Sequence, residues 1–158
     1  MTTAQLSAAL LAKGPVTVAL SKPHDPAAFY QRSAGLYVYD DYRRYIVEET
    51  KPTQSASPIT LRRFVLDRDA SDEDIAAELG PNHVFTESEV CWIVAELIGK
   101  QEGGGAGDLD STGKANLFYT LSWVVYVRWG AVDREWLVGT WRRDDADWYA
   151  GVSAFSRN

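Results

Sequence analysis

The chain predicts a single α+β domain: a mainly antiparallel sheet whose C-terminal three-stranded meander is packed by a helical hairpin. Three observations carry that expectation. Residues 117–155 form three runs rich in aromatic and β-branched residues, with short polar connectors at 130–134 and 143–147. Two capped, amphipathic segments lie between Ser71 and Lys100 and are separated by Gly80-Pro81. The length of 158 residues and an apolar fraction of 46% suit one domain with a core large enough to need no staples.

At the N-terminus, Thr2 and Gln5 have capping-box spacing, with Leu6, Ala9 and Leu10 at helical intervals. A short helix is therefore expected to end near Gly14-Pro15, and residues 16–20 read as a brief strand. Asp25-Pro26 is a helix start, because Asp caps free N–H groups and Pro fits the first helical position. That helix should include Phe29 and Tyr30 and end by Gly35. Residues 36–50 have two readings. Tyr37, Val38 and Tyr39 favour strand, while Tyr42, Tyr45, Ile46 and Glu49 recur at helical spacing. The extended reading is preferred, since Tyr, Val and Ile suit a pleated, half-buried surface. Residues 51–58 are a loop, and 59–66 a strand expected to pair with residues 45–49.

Ser71 opens the first of the two middle helices, with Asp72, Glu73 and Asp74 where they complement the helix dipole. Ile75 and Leu79 form its stripe. Thr86 and Glu89 make a second capping box, flanked by a Phe85–Val90 staple. Val90, Ile93, Val94, Leu97 and Ile98 continue as a long apolar face. Residues 101–114, with Gly103-Gly104-Gly105, form a flexible loop inside the domain.

Charge is unevenly distributed. Twelve acids between Asp67 and Asp110 face only Arg68 and Lys100, a local net of −10, so the rest of the chain carries +4 against the overall −6. A partner selected by charge at this segment is basic. The competing reading is a pair of helices with solvated acidic faces. The lone Cys91 allows no internal disulfide and favours a reducing compartment. Residues 1–13 lack the basic and long apolar regions of a signal peptide. A cytoplasmic protein with no membrane segment is expected.

Five of the six tryptophans, Trp123, Trp129, Trp136, Trp141 and Trp148, fall in the final meander. Alternation puts Trp123, Val125, Val127 and Trp129 on one face and Val124, Tyr126 and Arg128 on the other. On the next strand Trp136, Val138, Thr140 and Arg142 separate from Glu135, Leu137, Gly139 and Trp141. The tryptophans share one core only if both sheet faces are covered. The candidate binding residues are Tyr126, Arg128, Trp136, Arg142 and Trp148, with Trp136 and Arg142 expected beside Tyr126 on one solvent-facing surface. Such a surface suits stacking on bases, sugars or a protein partner, since Trp and Arg dominate interface hot spots. The arginine pairs 43–44, 62–63 and 142–143 can each place only one guanidinium on a given strand face.

No phosphate-cradle, nucleophile-elbow or dinucleotide pattern is present. His24 and His83 stand at helix entries, too few for a usual zinc site, and Cys91 falls on an apolar helix face. No metal or cofactor is expected, and no catalytic residue is assigned. The favoured reading is a non-catalytic interaction protein that uses the acidic helices, the Trp/Arg sheet face, or both. Its partner would be a protein rather than nucleic acid. The alternative is a small hydrolase-type enzyme with a carboxylate acid or base.

Overall fold

The computed structural model describes residues 9–158. Within them lie nine strands: β1 (Leu10–Val18), β2 (Leu36–Val38), β3 (Ile59–Leu66), β4 (Ala70–Ser71), β5 (Asn116–Tyr119), β6 (Trp123–Gly130), β7 (Glu135–Arg142), β8 (Asp147–Trp148) and β9 (Ser153–Arg157). The helices are α1 (Pro26–Phe29), α2 (Asp40–Tyr45), α3 (Asp72–Leu79) and α4 (Glu87–Gly99). Seven strands make one mixed but mostly antiparallel sheet in the order β1-β3-β9-β5-β6-β7-β2, with parallel pairing only at β9–β5 and β7–β2. Strands β4 and β8 form a separate two-stranded ribbon. Among the described residues no helix is long and apolar enough to cross a membrane.

Local capping explains where three of the helices start. Asp25 accepts from Ala28 N ahead of α1, and Ser71 accepts from Asp74 N ahead of α3. Thr86 and Glu89 satisfy each other's backbone N–H groups in a complete capping box at α4. The expected start of a helix at Thr2 lies outside the described residues. Residues 10–18, where that helix was to end, are instead extended. Val16 and Val18 enter the core, and the strand takes β3 as its partner across a bulge between Ala12 and Pro15.

Residues 36–50 correct the preferred strand. Only Leu36–Val38 is extended; α2 and a 3-10 turn at Val47–Glu49 follow, burying Tyr42, Ile46 and Val47 at helical spacing. Strand β3 consequently pairs with β1 and β9, not with residues 45–49.

The two middle helices do not form a hairpin on one face. Helix α4 packs with Phe118, Val125, Val127 and Phe155, whereas Ile75 and Leu79 of α3 pack with Leu117, Val124 and Ala154. Neighbouring strand residues point to opposite faces, so the helices cover opposite sides of the sheet. The link between them passes the end of β5, where Phe85 N donates to Tyr119 O, 2.8 Å. Helix α4 is also no amphipathic surface helix. From Val90 to Ile98 only Glu96 escapes burial, because α1 and α2 close over its outer side. The Tyr30 hydroxyl donates to Cys91 O at 2.5 Å, tying that cover down.

The C-terminal meander exists but is displaced by one strand. The run 117–129 divides into β5 and β6 at an exposed turn, Leu121-Ser122, held by Thr120 N to Trp123 O. β5, β6 and β7 are therefore the antiparallel meander. The run 148–155 leaves it. Gly151, at φ +93°, turns the chain from β8 into β9, which inserts between β3 and β5. The loop 101–114 is tied by two buried amides. Gln101 bonds Gly105 O and both backbone groups of Leu109, and Asn116 bonds both backbone groups of Asp110.

Candidate functional site: two aromatic surfaces

Helix α3 packs over β9 and the end of β5 and leaves the second face of β6, β7 and β2 half-exposed. Register decides what stands there. Tyr126 faces Gly139, Arg128 faces Leu137, and Leu137 in turn aligns with Tyr37. The rings run in a file across the strands: Tyr37 to Tyr39 at 4.9 Å, Tyr39 to Tyr126 at 6.2 Å, and Tyr126 to Trp148 at 6.3 Å between centroids. Arg32 lies over Tyr37 at 4.5 Å, and Trp141, 53% exposed, stands on the same face opposite Val124. Gly139 makes the file possible, since a Cβ there would stand 2.4 Å from the Tyr126 hydroxyl oxygen. Burial, then Tyr39 and Asp41, push the Tyr126 phenol up to about 12. It stays a neutral donor at physiological pH.

Trp148 is fixed by a buried carboxylate. Asp72 is fully enclosed and accepts from Trp148 Nε1 at 2.7 Å, the Tyr119 hydroxyl at 2.8 Å and Asp144 N at 3.0 Å. Three donors on one carboxylate satisfy what burial would otherwise leave costly. Burial and the Asp72 carboxylate raise the Tyr119 phenol well above its ordinary range.

A second aromatic surface lies on the α4 side. Tyr45 stacks on Trp123 at 4.3 Å and 17°, Arg142 lies over Trp123 at 5.8 Å, and Arg44 over Tyr45 at 5.5 Å. Beside Trp123 is a shallow hollow of about 420 Å³ lined by Leu121, Ser122, Arg142, Arg143 and Asp144. One of its walls is held in place. Arg143 donates to Thr120 O at 2.9 Å and to His83 Nε2 at 3.0 Å. His83 Nδ1 is 2.6 Å from Gly80 O, and since a carbonyl only accepts, that nitrogen carries the proton and Nε2 is the acceptor. Burial first, and Arg143 as well, hold the His83 pKa below its ordinary value, against the opposing pull of the Gly80 carbonyl.

The five candidate residues thus separate. Tyr126, Arg128 and Trp148 share the α3 side of the sheet. Arg142 belongs to the α4 side, opposite Trp123. Trp136 is not at the surface at all: it is 1% exposed, packs against Trp129 at 5.3 Å and donates from Nε1 to Gln101 O at 2.9 Å. The expectation that Trp136 and Arg142 join Tyr126 on one solvent face is overturned. Cross-strand register places Trp136 opposite Trp129 and puts Arg142 on the face away from Tyr126.

The acidic segment is also less free than its charge implies. Glu78 accepts from Ala9 N and Leu10 N, Glu89 pairs with Arg157 at 2.7 Å, Asp69 accepts from Ala150 N, and Asp72 is buried. Tyr37, Tyr39, Tyr45, Trp123, Trp141 and Tyr149 are surface aromatics that the candidate set lacked. The period-two spacing of Tyr37 and Tyr39 was the available signal for two of them. Among the described residues no group of three or more His, Cys, Asp or Glu stands together as a metal site. Compared with protein-family models, curated proteins and solved structures, the chain matches none.

Proposed function

We propose that this domain is a non-catalytic interaction module whose docking surface is the open half of the sheet on the α3 side. The observation that carries the reading is the file of half-exposed rings from Tyr37 to Trp148, with Arg32, Arg128 and the exposed Trp141 around it. Rings on strands, backed by a packed sheet, give large contact area at little entropic cost. Tyr, Trp and Arg are the residue types that anchor interfaces. The side chains are steadied before binding by their neighbours, which lowers the ordering cost of association. The acidic helices contribute less to this reading, because several of their carboxylates serve internal bonds.

A hydrolase acting at the hollow would pair its exposed Asp144 carboxylate with a second acid or base. His83 has both ring nitrogens engaged, and Asp72 already accepts three hydrogen bonds in the interior. The interaction reading therefore stands ahead of it.

The test replaces Trp141 with a photo-cross-linking phenylalanine in lysate of the source cells, with Lys51 as a remote control position. A defined protein trapped at 141 but not at 51, and lost when Tyr39→Ser is added, supports the reading. Equal trapping at both positions, or none at 141, counts against it.

A further inference from the structure

We propose that the Arg44–Tyr45–Trp123–Arg142 stack and the hollow beside it form a second docking site, one that takes an acidic segment of a partner protein. The stack lies on the α4 side, the hollow sits beside it where β6 begins and β7 ends, and neither includes a ring of the tyrosine file. Positive charge at the stack is unmatched. Among the described residues Arg43 pairs with Asp40 and Arg157 with Glu89, whereas neither Arg44 nor Arg142 is in a carboxylate ion pair. Both are exposed, and both are set against a ring face. Each guanidinium lies within cation–π range of its ring and carries N–H donors in the fork geometry that suits carboxylates.

The shape of the hollow also suits such a segment. Arg143, held by Thr120 O and His83, adds a fixed positive wall next to Arg142, and Leu121 at 79% exposure offers an apolar contact at the rim. The hollow is open and accepts side chains from an extended segment rather than enclosing a small molecule. Asp144 lines its far side, and Asp40, Asp41 and Glu48 lie near Arg44 in sequence on α2 and the turn after it. A dense run of phosphates would meet those carboxylates, whereas spaced acids alternating with apolar residues would avoid them.

The probe is a fluorescein-labelled peptide of alternating glutamate and leucine, titrated with the intact chain and read by anisotropy. Binding should weaken as salt rises, because exposed charges are screened. Arg44→Gln and Arg142→Gln should each weaken it about tenfold, the factor for one lost charged hydrogen bond. Arg142→Lys should lose most of that factor too, since lysine keeps the charge but not the planar stack. Arg134→Gln, in the exposed β6–β7 turn, should leave affinity unchanged, and all variants should melt with the parent. The proposal is overturned by an absence of binding, by equal loss in Arg134→Gln, or by full affinity in Arg142→Lys. A single-stranded oligonucleotide of equal charge that binds more tightly through the same arginines would also overturn it.

Discussion

Gly139 faces Tyr126 across the β6–β7 ladder, and the tyrosine ring occupies the space a side chain would fill. Gly139→Ala must displace that ring, because the clash is with a packed aromatic. We expect a loss of about 1–3 kcal/mol in urea unfolding, the usual range for forcing extra atoms into a packed site. The Tyr126 phenol, held up to about 12 by burial, should titrate closer to its ordinary value in the variant. Unchanged stability together with unchanged tyrosinate absorbance would mean that the ring is not seated there. His83 makes a different prediction. Its folded-state pKa lies below the ordinary 6.5, so over the window between the two values the unfolded chain binds more protons. The stability from neutral His83 is fully present above about pH 6.5 and is lost as pH falls through the folded value. His24, also lowered by burial, acts in the same direction. His83→Gln should therefore flatten part of the decline in melting temperature below about pH 6.5, leaving the His24 part. An identical slope in the variant would remove His83 from the account.

At the level of elements, what sequence made legible was what is decided within a few residues. Asp25, Ser71 and the Thr86–Glu89 box cap their helices where short-range hydrogen bonding said they should. The alternation of Val124 and Val125, or of Tyr126 and Val127, correctly divided β6 between two faces. The segment 36–50 failed because its residue types favour strand while its spacing is helical. Burial of Tyr42 and Ile46 under α4's outer side decided for spacing. The candidate surface failed at Trp136 and Arg142 for a related reason. Alternation within a strand is local, but which residue faces which across β6 and β7 depends on the turn that joins them. Helix α4 yields its own prediction. Cys91 is fully buried, and burial pushes its thiol up to about 12. Alkylation of the folded protein should be negligible and should accelerate with denaturant in step with loss of helical signal. Labelling well ahead of unfolding would show that the α1–α2 cover opens on its own.

For the whole molecule, strand order was beyond any local signal. The run that became β9 resembles its neighbours in composition, yet it leaves the meander and enters the middle of the sheet. A central position carries consequences for stability. Phe155 stacks on Phe118 at 4.6 Å within the α4-side core, and Ala154 is buried on the other side. Removal of residues 153–158 should abolish cooperative unfolding and near-ultraviolet ellipticity, whereas trimming the exposed Asn158 alone should do neither. A truncated chain that still melted in one sharp transition would contradict the central role given to β9. The same position bears on biosynthesis. Without β9 the sheet exists as two fragments, β1-β3 and β5-β6-β7-β2, each with an open edge where the missing strand belongs. Of the described strands β9 is synthesised last, so the nascent chain carries two adhesive borders until residue 157 has cleared the exit tunnel. Open strand borders recruit foreign strands. Between β7 and β9 both borders stand open at once, and shielding them is the task a chaperone would perform for this fold.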